Sequence, residues 1–206
     1  MAEQAVRSSS EAVVPPRGAA RWRTVDIVVT AVLGVAFGVV FWAWNLLWAA
    51  VGTAFVAFPP GQAFMYGVWL LPAVLAPLVV RKAGAGLFAE LIAAIVSALL
   101  GSAWGSIVLL YGLLQGAAGE AGYAAFAWRR YGWPQAVLSA ALAGGMAAFL
   151  DLYNYYPDWT AGWKTTYTAL IVVSTVVVAG VGGMALTRAL AASGALSSFA
   201  SGRTRV

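Results

Sequence analysis

Residues 27–80 read IVVTAVLGVAFGVVFWAWNLLWAAVGTAFVAFPPGQAFMYGVWLLPAVLAPLVV, and no charged residue interrupts them. One membrane crossing takes about 20 apolar residues, so the run is too long for a single span. It also carries its own interruption, Phe58-Pro59-Pro60-Gly61-Gln62. Proline lacks the N–H that a helix interior needs and glycine lacks backbone restraint, so helices end at such a cluster. The run predicts a helical hairpin, with one span over 25–48 and a second over 63–80.

The pattern repeats along the chain. Between 83 and 128 the only charges are Glu90 and Glu120, with a break at Gly101-Ser102-Ala103-Trp104-Gly105-Ser106. Between 131 and 163 they are Asp151 and Asp158, with a break at Tyr153-Asn154-Tyr155-Tyr156-Pro157-Asp158-Trp159, and 165–187 has none. Further spans follow over 86–100, 104–127, 134–152 and 164–188. The expected fold is an all-α membrane protein, a six-transmembrane-helix bundle.

Basic residues orient it. Arg7, Arg17, Arg21 and Arg23 precede the first span, Arg81 and Lys82 join spans 2 and 3, Arg129 and Arg130 join spans 4 and 5, and Arg188, Arg203 and Arg205 follow the last. Only Lys164 falls on the other side. Positive loops stay inside, so both termini are expected in the cytoplasm of a multi-pass plasma-membrane protein. Residues 1–24 read as a disordered basic cytoplasmic tail, 25–190 as the transmembrane domain and 191–206 as a second cytoplasmic tail. A cleaved signal peptide is not expected, because the first apolar run is too long and more spans follow.

Composition agrees. Hydrophobic residues make up 62% of the chain and charged ones 9%, against about 25% charged in soluble domains. There is no Cys and no His, which excludes disulfides, thiolate nucleophiles, His/Cys metal sites and the commonest general base. No metal or cofactor is expected. The net charge of +5 is scattered over loops and tails without a basic-aromatic stripe, so nucleic acid is not the partner. No phosphate-binding Gly-x-x-x-x-Gly-Lys loop is present; ATP-driven work would need another chain.

Polar groups inside a bilayer are costly and mark function. Helical spacing puts Trp104, Tyr111 and Gln115 on one face of span 4, and pairs Asn45 with Trp48 and Tyr66 with Trp69. With Glu90, Glu120 and Asn154 these outline an outward-facing pocket with aromatic walls, suited to a flat heteroaromatic ligand, and a carboxylate there favours a cation. The aromatics alternatively form an interfacial belt. By rise per residue, Gln115 sits about 16 Å below the outer surface, whereas Glu120, about 24 Å down, and Glu90, about 6 Å above the inner edge, fall in the cytoplasmic half. Helix packing is the alternative role for both glutamates. Asp151 and Asp158 read as solvated near the outer surface. Small residues recur at Thr30, Gly34 and Gly38, and at Ala179, Gly183 and Thr187; the second stripe reads as internal packing, the first as packing or as a docking face for another subunit.

Several segments in order resemble a known family: Val39-Val40-Phe41-Trp42-Ala43-Trp44-Asn45, Tyr66-Gly67-Val68-Trp69-Leu70-Leu71-Pro72, Phe88-Ala89-Glu90-Leu91, Ser97-Ala98-Leu99-Leu100-Gly101-Ser102 with Trp104-Gly105, and Gln115-Gly116 followed by Glu120. From about Trp22 to Leu190 the chain resembles the substrate-binding S components of energy-coupling factor (ECF) transporters, of the YkoE type linked to thiamine and its hydroxymethylpyrimidine precursor. The resemblance implies a six-helix bundle that captures ligand on the extracellular side, topples to carry it inward, and works with a transmembrane coupling subunit and two cytoplasmic ATP-binding subunits. It also implies that the region of Thr30, Gly34 and Gly38 meets the coupling subunit. Two other readings compete: a membrane enzyme using Glu90 and Glu120 as an acid/base pair, and a structural subunit without ligand.

Overall fold

The computed structural model describes residues 21–203, and among these every regular element is helical. Helix α1 covers Thr24–Val51, and a short 3-10 turn covers Gly52–Phe55. A 3-10 helix over Pro59–Leu70 then runs into α2, Leu71–Val80. Next come α3 (Ala85–Leu99), α4 (Ile107–Ala124) and α5 (Trp133–Asn154). The last long helix is α6 (Ala161–Thr175), a π-helical segment (Val176–Gly182) and α7 (Gly183–Ala192), followed by the short α8, Ala200–Arg203. A helical stretch thus stands at each of the six expected positions. Four stretches, Thr24–Phe55, Pro59–Val80, Trp133–Asn154 and Ala161–Ala192, are long and apolar enough to cross a membrane, while α3 is shorter.

Local chemistry sets the helix ends. Asp26, in the first turn of α1, accepts the Arg23 backbone N–H at 2.9 Å and the Arg23 guanidinium at 2.6 Å. Gln135 closes the start of α5 by accepting the Gly132 N–H at 3.0 Å, and the Thr160 hydroxyl accepts the Trp163 N–H at the start of α6. Pro59 and Pro60 open the 3-10 helix, where a missing N–H costs nothing.

Helix α2 is apolar on every side and is the one its neighbours enclose. Every residue from Pro72 to Val80 is buried. It touches α1, α3, α4, α5, α7 and α8, while α1 packs on α3, α3 on α4, α4 on α5 and α5 on α6. The 3-10 helix closes the ring against α6. Gly67 is required there: a Cβ would collide with the backbone of Ser174, whose hydroxyl accepts the Gly67 N–H at 3.0 Å and donates to the Phe64 carbonyl at 2.7 Å.

The first small-residue stripe faces inward. Thr30, Gly34 and Gly38 are all buried. A Cβ on Gly34 would lie 2.7 Å from the Ile92 Cβ, and one on Gly38 2.9 Å from the Ala93 carbonyl oxygen. These residues bring α1 onto α3 and are not open to a second chain, which corrects the docking-face reading. Ala179, Gly183 and Thr187 are likewise buried within the bundle. The calls on residues 1–20 and 204–206 lie outside the described residues. Residues 193–203 fold back on the bundle: Leu196 and Phe199 join a core with Leu75, Ala76 and Val79, and the Ser201 hydroxyl donates to the Val79 carbonyl at 2.6 Å.

Candidate ligand-binding cavity

The Pro59–Leu70 helix shapes the site. A 3-10 helix has three residues per turn and seldom runs beyond three or four residues; this one holds for 12. Residues three apart therefore stack in register, which aligns Ala63, Tyr66 and Trp69 along one edge. Besides a bond from Trp69 to Asn45, two others tie the helix to α1: the Trp44 indole donates to the Met65 carbonyl at 2.9 Å, and Gln62 donates to the Trp48 carbonyl at 2.7 Å.

Tyr66 and Trp69 face a cavity of about 360 Å³, within the usual size of small-ligand sites, roughly 300–1,000 Å³. Its aromatic wall centres on Trp69, whose ring lies 5.0 Å from Trp48, 5.2 Å from Tyr66 and 6.1 Å from Trp104. Tyr111, Tyr155 and Tyr156 also line it. Phe41, Ala94, Ile107, Val108 and Gly112 complete the apolar lining.

Asn45 holds this wall together. Its side-chain oxygen accepts the Trp69 indole N–H at 3.0 Å, and its amide donates to Ser97 at 3.3 Å and to Ser102 at 3.2 Å. One side chain thereby joins α1, the 3-10 helix, α3 and the α3–α4 turn. With both amide hydrogens engaged, Asn45 positions Trp69 more than it offers donors to a ligand.

A second network starts at Gln115. Its amide donates to the Tyr66 hydroxyl at 3.2 Å, and that hydroxyl donates to one Asp151 oxygen at 3.3 Å. The other oxygen accepts the Tyr167 hydroxyl at 2.6 Å. Asp151 is thus buried and lines the cavity, which corrects its reading as a solvated surface group: helices α5 and α6 and the 3-10 helix close over it. Asn154 stands one turn further on, donating to the Leu150 carbonyl at 2.8 Å and the Tyr111 hydroxyl at 3.5 Å, and supports the wall from behind.

The two glutamates separate. Glu90 lines the cavity, and its carboxylate accepts the Ala73 N–H at 3.0 Å. Ala73 follows Pro72 at the point where the 3-10 helix passes into α2. Glu120, expected among the ligand groups, lies outside the cavity. It accepts the Gly84 N–H at 2.7 Å, the Gly86 N–H at 2.9 Å and the Trp128 indole N–H. Glu120 caps the N-terminus of α3, where negative charge is stabilised, while Glu90 binds the backbone where the 3-10 helix passes into α2. They share no cleft, so an acid/base pair has no place to act.

Of the expected pocket residues, Asn45, Trp48, Tyr66, Trp69, Glu90, Trp104, Tyr111 and Gln115 are brought together here. Among the described residues, the lining has two carboxylates, Glu90 and Asp151, and no basic side chain. Of its other members, Phe41 and Ser102 lie in or beside segments already singled out. Asp151 was signalled only by standing four residues before Tyr155 and seven after Gly144, on a face with Ala147 and Ala148.

Comparisons with known proteins show the family. Residues 25–146 match the family described as "ABC-type cobalt transport system, permease component". The putative HMP/thiamine permease protein YkoE of Bacillus subtilis (strain 168) is 32% identical over 88% of this chain and 91% of its own. A crystal structure of an S-component of an ECF transporter superposes with a TM-score of 0.84, at 29% identity, over 89% of this chain and 92% of that one. The chain belongs to the S components of ECF transporters. As an S component it is a multi-pass protein of the plasma membrane with a transport role, and its relatives are transporter subunits and not enzymes.

Proposed function

We propose that this S component captures thiamine or its hydroxymethylpyrimidine precursor in the aromatic cavity, from outside the cell. Six spans with both termini in the cytoplasm would open the cavity outward, since the turns at Ser102–Trp104 and Tyr155–Tyr156 lie on the side opposite the basic loops. A transmembrane coupling subunit and two cytoplasmic ATP-binding subunits would then drive release inward.

The observation that carries this reading is the lining itself: Trp48, Tyr66, Trp69, Trp104 and Tyr111 around two carboxylates, with no basic residue. Aromatic faces attract a flat ring by stacking and a cation through the ring quadrupole, and desolvation strengthens both. Glu90 and Asp151 add charge complementary to a thiazolium or a protonated aminopyrimidine. Cobalt, named in the family description, fits less well. The chain has no His and no Cys, and ions of that kind are held best by imidazole or thiolate.

Tryptophan quenching on the purified chain tests this. Saturable quenching by thiamine or hydroxymethylpyrimidine, lost in Trp69→Ala, is expected. Absence of quenching by any pyrimidine or thiazole compound up to millimolar levels would sink the substrate assignment. Co-purification of the chain with its neighbouring transmembrane and ATPase subunits tests the partner assignment separately.

A further inference from the structure

A second cavity of about 490 Å³ opens at the opposite, basic end of the bundle. Its walls come from the end of α2, the loop before α5, helix α7 and the folded-back C-terminal segment. Arg81 and Arg188 line it with Tyr131 and Thr187, beside apolar Leu78 and Met184. Among the described residues, no carboxylate lines it.

Arg81 is the unusual member. It caps α2 with φ 53, the left-handed region that residues other than glycine seldom adopt. Its side chain lines the cavity. Its Nε is buried, with no hydrogen-bond partner among the described residues. Burial lowers the guanidinium pKa, the direction expected of a cation short of counter-charge. Arg188 sits 5.1 Å above the Trp133 ring, which fixes its direction. Glu120 does not line this cavity and is engaged by Gly84, Gly86 and Trp128. Buried donors without partners are costly. Two arginines converging on an apolar-walled cavity at the basic end of a membrane bundle suit an anionic headgroup.

We propose that this cavity binds a phosphate-bearing anion through Arg81 and Arg188, either the headgroup of an anionic membrane lipid or free phosphate. The site is separate from the ligand cavity and does not depend on which substrate that cavity takes.

The test has two arms. In the first, the full chain is placed in nanodiscs of phosphatidylcholine with increasing phosphatidylglycerol, and retained lipid is counted by native mass spectrometry. In the second, inorganic phosphate is titrated in neutral detergent and thermal stability is followed. Retained phosphatidylglycerol assigns a lipid headgroup, and saturable stabilisation by phosphate assigns the free anion; either supports the site. Arg81→Asn with Arg188→Gln should weaken whichever is seen by roughly 30-fold, at about one Arg's worth of attraction each. Asparagine is chosen because it tolerates the left-handed backbone. Ala192→Trp keeps both charges and fills the cavity, so it should abolish retention even if the double variant fails to fold. Equal retention of phosphatidylcholine and phosphatidylglycerol without a phosphate effect overturns the proposal, as does anion binding unchanged by Ala192→Trp.

Discussion

Replacing Asn45 with alanine removes three hydrogen bonds at once, to Trp69, Ser97 and Ser102. Interhelical hydrogen bonds in membrane proteins average about 0.6 kcal/mol each, so Asn45→Ala should cost about 2 kcal/mol of stability. Ser97→Ala, which removes one of the three bonds outside the cavity lining, should cost about 0.6 kcal/mol on the same scale. The two variants should differ more in binding. Without Asn45 the Trp69 indole loses its anchor, and re-ordering one such side chain on binding costs about 0.5–1.5 kcal/mol. Ligand affinity in Asn45→Ala should therefore fall roughly 2- to 10-fold, with Ser97→Ala close to wild type. Chemical denaturation in detergent gives the stabilities and isothermal titration with thiamine the affinities. If Asn45→Ala binds as tightly as wild type and is no less stable than Ser97→Ala, Asn45 does not organise the aromatic wall.

Other substitutions test separate parts of the account. Asp151→Asn keeps the shape and one acceptor oxygen, enough for one of Tyr66 and Tyr167, which donate to separate carboxylate oxygens, and it removes the charge; thiamine affinity should fall by at least about 30-fold, as when one partner of a buried charge pair is truncated, while a neutral ring analogue, measured by the same calorimetry, should fall far less. Gly38→Leu drives a side chain into Val96 and Ala93 of α3 and should cost about 1–3 kcal/mol or more, seen as a lower melting temperature, whereas Val39→Leu on the exposed face should be neutral. Glu120→Gln weakens charge-assisted bonds at the start of α3, worth about 1.5–3 kcal/mol, and should lower stability while leaving affinity unchanged; an affinity loss equal to that of Asp151→Asn would return Glu120 to the ligand site.

The hairpin plan was readable because charges are so few that their positions mark the loops. The pocket residues were readable wherever local spacing sufficed: Trp104, Tyr111 and Gln115 share a helix face whatever the neighbours do. The 3-10 geometry was not readable, although Tyr66 and Trp69 three apart share an edge in either helix. Asp151, Glu90 and Glu120 show the limit. Their roles are set by groups distant in sequence, Tyr66 and Tyr167 for Asp151, the first turn of α2 for Glu90 and that of α3 for Glu120. Depth along a helix therefore misjudged Glu90 and Asp151, whereas it placed Glu120 away from the outer pocket, where the structure has it. The Thr30, Gly34, Gly38 stripe carried its own answer: Asn45, seven residues on, continues the same face, and a face that delivers a buried asparagine to the interior belongs to the bundle.

A structure of the chain with bound thiamine tests the central claim most directly. The account predicts one aromatic ring of the ligand stacked within about 4 Å of Trp69, its cationic end turned towards Glu90 or Asp151. Ligand bound elsewhere on the chain, or seated in this cavity with its cationic end turned away from both carboxylates, would contradict it.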